Sequence, residues 1–381
     1  MSTGTNKYDN GQTYFSKIIL DFDTALFKAA RSVEEDYVIV KNKKTGVEKE
    51  YRTQTEFFGR SEKVLGGVLG DWCEFVGWNL TRGDFEITKH SRIKSDFEDD
   101  PVEYAMREFN LHVGRVKNSN IAEDYLIVIG GFEKNFRYDV AKIQPYKGAR
   151  KEKPIVFADL KDKVIAQYKN KIQLAEGCEA DDVLGWYATE NQETFRKTGE
   201  YPYVLGYIDK DLKQLWGPSV NLDKITNGVT YISPKESTEY FCIQLLKGDK
   251  ATDNILGVGE ISQETREMYG IRKGNGVGDV AANAILEGSK NGREMFVRVV
   301  DAYKKAYPEP ITLESGDIYT WKDFLRENAL LLWMQRKEGQ RFDIIEFLEK
   351  EAKIDLEKVD LIAEEINGKK QIKQKEETSN D

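Results

Sequence analysis

Three apolar runs in the first half of the chain have the length and composition of buried β-strands. Residues 17–21 (KIILD), 125–129 (YLIVI) and 203–208 (YVLGYI) each end at, or are followed by, a carboxylate or a glycine pair. Helical runs at residues 25–31 and 180–190 separate them. Strands that alternate with helices predict an α/β fold with a mainly parallel central sheet. Ligands of such sheets bind beyond the carboxyl ends of the strands, so we expect the functional groups there.

The pattern changes near residue 236, where helical runs alternate with glycine-rich turns. A helical run at 238–246 leads into GDKATDNILGVG, and GNGVGDVAANAIL follows at 274–286. Residues 321–366 are helical and amphipathic in pattern, whereas residues 367–381 are polar and poor in apolar side chains. We predict an α/β domain at 14–235, a small helical subdomain at 236–300, a helical C-terminal region at 301–366 and a disordered tail at 367–381.

Composition narrows the chemistry to carboxylates. The 381 residues include two histidines, His90 and His112, and three scattered cysteines. Catalytic triads, histidine-rich metal sites, cysteine zinc sites and disulfide frameworks are therefore poorly supported. No apolar run approaches the roughly 20 residues that span a membrane, and residues 1–16 are too polar for a signal peptide. We expect a cytoplasmic protein that does not bind membranes.

The net charge of -9 is unevenly distributed along the chain. Contacts to phosphate require Lys and Arg, so an evenly acidic protein would be a poor partner for nucleic acid. Residues 134–153, however, hold seven basic residues against two acidic ones. Taken alone, such a segment is more often a solvated basic loop. Considered together with the carboxylates elsewhere in the chain, this basic segment is better interpreted as a surface that contacts a polyanion.

Acidic residues cluster at the predicted strand ends and helix starts. Asp209 and Asp211 are two apart and point the same way in a strand, while Glu179 and Asp182 share a face at a helix start. Each pair alone is more typical of a solvated turn or a helix N-terminus. Together, such carboxylates repel one another unless cations lie between them, and hard oxygen ligands suit Mg²⁺ or Mn²⁺. The full set is Asp21, Glu179, Asp181, Asp182, Asp209, Asp211, Asp249 and Asp253.

Five segments resemble, in order and spacing, the motifs of the flap endonuclease and 5′→3′ exonuclease family. The similarity is closest to phage 5′-exonucleases and the phage ribonuclease H, and it extends from about residue 18 to residue 286. The resemblance implies a PIN-like nuclease domain, a helix–three-turn–helix subdomain and phosphodiester hydrolysis with two Mg²⁺ or Mn²⁺ ions. The segments are ILDFDTALF (19–27), QPYKGARKE (144–152), EGCEADDVLG (176–185), YIDKDLKQL (207–215) and LLKGDKATDNILGVG (245–259).

The resemblance also implies two metal regions. The first would comprise Asp21, Glu179, Asp181 and Asp182, and the second Asp209, Asp211, Asp249 and Asp253. A basic arch is implied at about 134–171, in which Arg137 and Lys147 offset charge on the phosphate and Tyr146 stacks on an unpaired base. Glycine turns would approach a phosphate, and a monovalent cation there is left open. The implied nucleic-acid contacts are Arg137, Tyr146, Lys147, Arg150, Lys151, Gly257, Gly259, Gly276 and Gly278.

Two departures from the family pattern affect this interpretation. The spacing of Asp249 and Asp253 is one residue longer than usual, and Gly130-Gly131 stands where the family has an aspartate after the second strand. Loss of a carboxylate predicts weaker metal binding, which Gly131→Asp would restore unless Glu133 has taken over. It also leaves a catalytically weak, structure-selective DNA-binding protein as the alternative function.

The resemblance sets the expected partners. They are DNA with a 5′ end, flap or nick, with an RNA–DNA hybrid and replication proteins left open, and the protein is expected to act as a monomer. A PIN-domain toxin that cleaves RNA fits less well, because such proteins are much shorter and lack the helix–three-turn–helix segment.

Overall fold

The structure, a computed structural model, describes residues 15–148, 150, 152–271, 274 and 276–366. The strands of this part of the chain are β1 Phe15–Asp21, β2 Glu34–Asn42, β3 Glu48–Tyr51, β4 Phe85–Ile93, β5 Ala122–Gly130, β6 Ile172–Ala175, β7 Tyr203–Tyr207, β8 Gly217–Asn221, β9 Thr230–Ile232, β10 Ile311–Thr312 and β11 Ile318–Tyr319.

The α-helices in the same residues are α1 Asp23–Ser32, α2 Gln54–Phe58, α3 Gly67–Val76, α4 Pro101–Asn118, α5 Arg137–Val140, α6 Phe157–Gln167, α7 Ala180–Thr198, α8 Pro234–Lys247, α9 Gln263–Met268, α10 Asp279–Leu286, α11 Gly292–Ala306, α12 Trp321–Leu332 and α13 Ile344–Lys350. Short 3₁₀ turns lie at Arg82–Asp84, Ser95–Phe97, Lys210–Gln214, Leu222–Asn227 and Leu356–Lys358.

The chain forms two compact units. Within the described residues, the first is drawn from 1–23, 115–151 and 170–381, and the second from 24–114 and 152–169. The predicted boundaries at 235 and 300 fall inside the first unit, so they stay a prediction. The predicted tail at 367–381 lies outside the described residues.

The first unit is built on a six-stranded sheet with the order β6-β5-β1-β7-β8-β9. Five strands are parallel, and β9 pairs antiparallel to β8 at one edge. The prediction of an α/β fold with a mainly parallel sheet is confirmed. Both neighbours of β1 come later in the chain, so the strand order reverses between β1 and β7. Ligands of open α/β sheets bind at such a reversal, at the carboxyl ends of the strands.

Apolar side chains fix the central strands and the helix that follows them. Ile18, Ile19 and Leu20 of β1 are almost fully buried, as expected for a parallel strand covered on both faces. Helix α7 packs Val183 and Leu184 into the same core. The sequence predicted this helix over 180–190, and it continues to Thr198 because its buried face extends to Asn191 and Gln192.

Helices from the second half of the chain share a separate core in the first unit. Helices α8, α10, α11, α12 and α13 pack around it, and Tyr146 is its member from outside this half. The side chain of Tyr303 is fully buried, and its hydroxyl donates to the carbonyl oxygen of Leu245 at 2.7 Å.

The second unit contains a three-stranded antiparallel sheet that the sequence analysis did not predict. Its order is β3-β2-β4. The core beneath it includes Val38, Val40, Phe57 and Phe58. Strands β2 and β4 have nine residues each and are rich in charged and polar side chains, so they gave no long apolar run to detect.

None of the helices in the described residues combines the length and the apolar character that crossing a bilayer requires.

Candidate active site at the carboxyl edge of the sheet

Asp21 lies at the end of β1, where the strand order reverses. It is 7% exposed, and its Oδ1 accepts a hydrogen bond from the backbone amide of Asp23 at 3.2 Å. Burial, followed by the charge of Asp23, raises the pKa of Asp21 to about 8. Asp209 and Glu179 act in the same direction. Carboxylates from three elements therefore act on one another at this edge.

The EADD sequence builds the start of α7. Glu179 is the N-cap residue, and it exchanges side-chain and backbone hydrogen bonds with Asp182 in a capping box. Gly177, with a φ of 64°, forms the turn that leads from β6 to this helix. The helix dipole favours carboxylates in the first turn. The acidic cluster thus has a local structural cause as well as a chemical use.

Asp182 is fully buried and forms a two-pronged ion pair with Arg137. Nη1 donates to Oδ2 at 2.6 Å, and Nη2 donates to Oδ1 at 2.9 Å. The backbone amides of Glu179 and Gln335 donate to the same two oxygens at 3.0 and 2.8 Å. Four donors therefore engage this carboxylate in the structure, and the assignment of Asp182 as a metal ligand stays a prediction.

Arg137 is also enclosed, with 1% of the residue exposed. Besides Asp182, it donates to the carbonyl oxygens of Leu331 at 2.9 Å and Trp333 at 2.7 Å. The guanidinium is buried and engaged by protein, so a contact of Arg137 with nucleic acid would require these bonds to open, and it stays a prediction. Arg137 fixes Asp182 against the segment at 331–335.

Asp181 has the incomplete bonding that a ligand would satisfy. Its Oδ1 is buried and has no hydrogen-bond partner within the described residues. Burial, followed by the charges of Glu179 and Asp182, raises the pKa of Asp181 well above its ordinary value. An orphaned, buried carboxylate oxygen costs free energy unless a donor or a cation reaches it. Asp181 therefore fits the role of a metal ligand.

The basic turn, which we define as Tyr146, Lys147, Gly148 and Arg150, lies directly against these acids. Lys147 has a φ of 56°, and its backbone amide donates to the carbonyl oxygen of Asp253 at 2.9 Å. Its ammonium pairs with Glu179. The Nη2 of Arg150 donates to Asp253 Oδ1 at 2.6 Å. The structure therefore brings together the predicted basic contacts and two predicted carboxylates.

The ion pair between Lys147 and Glu179 persists at neutral pH. Burial acts to raise the pKa of Glu179, but the Lys147 and Arg137 cations outweigh it and hold that pKa at about 2. Burial likewise acts to lower the pKa of Lys147, and the charges of Glu179 and Asp253 raise it above its ordinary value. Both groups are therefore charged where the protein would work.

Tyr146 bridges two carboxylates. Its hydroxyl lies 3.0 Å from Glu179 Oε2 and 3.0 Å from Asp253 Oδ2. The residue is 3% exposed and packs in the helical core, so stacking of its ring on an unpaired base would require it to leave this core and stays a prediction. The bridge also places Asp253 beside Glu179, whereas the resemblance grouped Asp253 with Asp209, Asp211 and Asp249, and that grouping stays a prediction.

Asp211 belongs to a second group of acids. Its Oδ1 accepts from the Tyr240 hydroxyl at 2.6 Å and from Gln244 Nε2 at 3.1 Å. Burial raises the pKa of Asp211 to about 6; the Tyr240 hydrogen bond opposes this shift, and the charges of Asp209 and Asp249 add to it. The charge of Asp209 acts on both Asp21 and Asp211, so Asp209 connects the two groups.

Side chains from other elements fill the space beside Gly130 and Gly131. A Cβ on Gly131 would overlap the Glu176 carboxylate and come within 2.7 Å of the Ala175 carbonyl oxygen. Glu176 Oε2 accepts hydrogen bonds from the backbone amides of Phe132 at 2.8 Å and Glu133 at 3.0 Å. The expectation that Gly131→Asp refills an open position is therefore wrong. Glu133 is exposed on this loop.

Asp23 is a residue that sequence reasoning missed. Its Oδ1 accepts from the backbone amide of Gly130 at 2.8 Å, so its carboxylate lies at the end of β5. The sequence analysis assigned a role in the site to Asp21, the first aspartate of ILDFD, and none to the second. Two features of the sequence could have indicated its position. Asp23 is two residues after Asp21, and the strand end at Gly130-Gly131 has no side chain of its own.

The predicted glycine turns divide into a buried pair and an exposed pair. The amide of Gly257 donates to Asn328 Oδ1 at 3.2 Å, and both Gly257 and Gly259 are buried. In this arrangement they are not accessible to a phosphate, and their predicted contact with nucleic acid stays a prediction. Gly276 and Gly278 are exposed, and Gly278 is the N-cap of α10. Lys151 lies outside the described residues.

Comparison with known proteins gives weak likenesses. No model of a known protein family matches this chain. A DNA polymerase I of Bacillus caldotenax is 27% identical over 176 residues, which are 42% of this chain and 19% of the polymerase. The chain thus matches a small part of that relative.

Solved structures of phage T5 nucleases are similar at 14% identity. A T5 protein co-crystallised with metal ions has a TM-score of 0.37 and covers 71% of this chain and 93% of its own. A T5 5′-exonuclease mutant has a TM-score of 0.37, with coverage of 68% and 91%. A T5 flap endonuclease in a complex with DNA and metal ions has a TM-score of 0.32, with coverage of 60% and 90%. Likenesses at this level assign no activity to this chain.

Proposed function

We propose that this chain is a divalent-metal-dependent 5′-nuclease with a PIN-like core, related to the flap endonucleases and 5′→3′ exonucleases. The observation that carries the proposal is the unsatisfied, buried Oδ1 of Asp181. It lies among carboxylates that raise one another's pKa, at the strand reversal and beside a basic turn. Buried acids that repel one another fit a site for hard cations.

Two sets of carboxylates would hold the ions. Asp21, Glu179 and Asp181 form the first, and Asp209, Asp211 and Asp249 form the second. Within the described residues, no three His, Cys, Asp or Glu side chains are arranged to hold a metal ion as they stand. Binding of a metal ion would therefore require the carboxylates to move closer together and Lys147 to break its ion pair with Glu179. Bound Mg²⁺ or Mn²⁺ would supply an activated water and stabilise the leaving oxygen.

The basic turn would then serve the substrate. Lys147 is held near the acids by its left-handed backbone and by the amide bond to Asp253. An ammonium released from Glu179 lies within reach of a phosphate that enters the same site, where it offsets negative charge in the transition state. Arg150 is half-exposed and contributes a second cation on the solvent side.

The start of α10 would anchor the duplex at a distance from the cut. Gly276 and Gly278 are exposed, and among the described residues no atom lies within 4 Å of a Cβ built on Gly278, so a DNA backbone could approach the helix N-terminus closely. Backbone amides at a helix N-terminus favour a phosphate. Lys247 pairs with Asp279 at this end of the helix, so the negative charge of the first turn is offset.

The proposed substrate is DNA with a 5′ end, flap or nick, and the proposed setting is phage DNA replication. An RNA–DNA hybrid is a second substrate to be compared. The test is a duplex with a 5′-labelled flap, incubated with the protein at several Mg²⁺ concentrations and with EDTA. We expect metal-dependent release of short labelled products.

The alternative function is a DNA-binding protein with little catalysis. The lack of a carboxylate side chain at 130 and 131 favours it. Tight, structure-selective retention of the flap without cutting at any concentration of Mg²⁺ or Mn²⁺ would establish this alternative and overturn the proposal.

A further inference from the structure

We propose that Asp23 is a further metal ligand of the site, supplying the carboxylate at the end of β5 from the neighbouring helix α1. This inference rests on the proposed metal-dependent function. Its basis is the position of the Asp23 side chain, which contacts the end of β5, the strand beside β1 in the sheet.

The contact between Asp23 and Gly130 fixes that position. Gly130 is the last residue of β5, and its amide donates to Asp23 Oδ1 at 2.8 Å. A Cβ on Gly130 would lie 3.3 Å from Asp23 Oδ2. That separation is tight, so the absence of a side chain at Gly130 is what lets the carboxylate rest against the strand end.

The Asp23 carboxylate also lies beside Asp21. The backbone amide of Asp23 donates to Asp21 Oδ1 at 3.2 Å, so the two residues meet at the end of β1. Carboxylates that meet at one strand end repel each other in their charged forms. Asp23 is partly exposed, so a cation can reach it from solvent and relieve that repulsion.

Glu176 is a less suitable candidate for the same role. Its Oε2 is taken by the backbone amides of Phe132 and Glu133 at 2.8 and 3.0 Å. It is exposed, and its charge is not among those that act most strongly on Asp21 or Asp181. Glu176→Gln therefore provides a matched control that also removes one carboxylate near the end of β5.

Asp23→Asn tests the inference while preserving the fold. The asparagine oxygen can still accept from Gly130, so the variant removes charge and little else. Titration calorimetry with Mn²⁺, without nucleic acid, should show about a tenfold or greater loss of affinity, the scale seen when groups around a metal site are changed. Gly130→Ala should weaken binding less, by displacing the carboxylate. Glu176→Gln should bind like the parent.

Asp181→Asn separates this inference from the proposed function. If the parent protein binds no Mn²⁺, the proposed function fails. If the parent binds, Asp181→Asn weakens binding and Asp23→Asn binds like the parent, the inference about Asp23 alone is overturned. Loss of affinity in Glu176→Gln but not in Asp23→Asn would also overturn it and assign the role to Glu176. Circular dichroism and melting temperatures confirm that each variant is folded.

Discussion

The carbonyl oxygen of Gln335 occupies the place where a side chain on Gly185 would begin. Gly185 lies inside α7, one turn after the carboxylates, and a Cβ there would overlap that oxygen. The amide of Gln335 donates to Asp182 at 2.8 Å, and this hydrogen bond holds the Gln335 backbone against Gly185. A glycine in a helix interior is ordinarily a cost of about 0.5–1 kcal/mol. Here it lets the C-terminal region reach the acidic cluster.

Gly185→Ala should therefore destabilise the protein, although alanine favours helices. We expect a loss of about 1–3 kcal/mol from overpacking against the Gln335 backbone. Urea denaturation gives the value. Gly114→Ala in α4 is the control, because in the part of the chain that the structure describes no atom lies within 4 Å of a Cβ built there, and it should be neutral or stabilising. Equal responses of the two variants would contradict the proposed contact.

Neighbouring aspartates should respond in opposite ways to the same substitution. Asp182→Asn leaves Arg137 buried without its partner and should cost about 3–5 kcal/mol of stability. Asp181→Asn removes a buried charge that neighbouring acids repel, so it should leave stability unchanged or raised while abolishing metal-dependent cleavage. Melting temperatures and cleavage rates of both variants decide this. A large loss of stability in Asp181→Asn would mean that its carboxylate has a structural role.

Lys147→Ala should slow cleavage more than it weakens DNA binding. Under the proposed function several basic residues would contact the polyanion, but Lys147 is paired with Glu179 among the acids and would offset charge at the reacting phosphate. We expect a decrease of about tenfold or more in the single-turnover rate, with a smaller change in the dissociation constant. Lys142→Ala is the control, since that side chain is half-exposed and pairs with Asp317. A slower rate in both variants would reduce Lys147 to a general surface contact.

Gly131→Asp should impair the protein and should not improve metal use. The new side chain would displace Glu176 and collide with the backbone at Ala175. We expect a lower melting temperature and no decrease in the Mg²⁺ concentration for half-maximal cleavage. If cleavage instead became half-maximal at lower Mg²⁺, the loop at 131–133 would have to rearrange to admit the aspartate.

Stability without metal should fall as the pH rises from about 4 to about 8. Asp21 titrates near 3.8 when unfolded and at about 8 when folded, so the folded state holds the extra proton in this window. The decrease in the free energy of unfolding that Asp21 causes is at most about 1.4 kcal/mol per pH unit. Glu179 has a lowered pKa, so its contribution is lost below 4.5 and does not change in this window. Urea midpoints in EDTA at pH 5, 6.5 and 8 should decline, and Asp21→Asn should make the decline shallower, while Asp181 and Asp211, whose pKa values are also raised, keep part of it. A flat profile in the parent would contradict the buried position of Asp21.

The central fold was predictable because its signals are local. Apolar runs such as residues 17–21 and 203–208 mark strands covered on both faces, and EADD marks a helix start. The partners of those residues were not predictable. Arg137 and Asp182 are 45 positions apart, and Gln335 lies 153 positions from Asp182. Pairings of this kind depend on tertiary packing, so the sequence showed the charges but not which of them neutralise each other.

The segment at 331–335 has a consequence for the size of the smallest active fragment. Its carbonyl oxygens at Leu331 and Trp333 receive Arg137, and its amide at Gln335 reaches Asp182. A chain shortened to end before residue 331 would leave a buried guanidinium with two of its acceptors removed and a buried aspartate with one donor fewer. The acidic cluster at the sheet edge and the segment at 331–335 therefore depend on each other. Recombination or limited proteolysis that separated them should destabilise both.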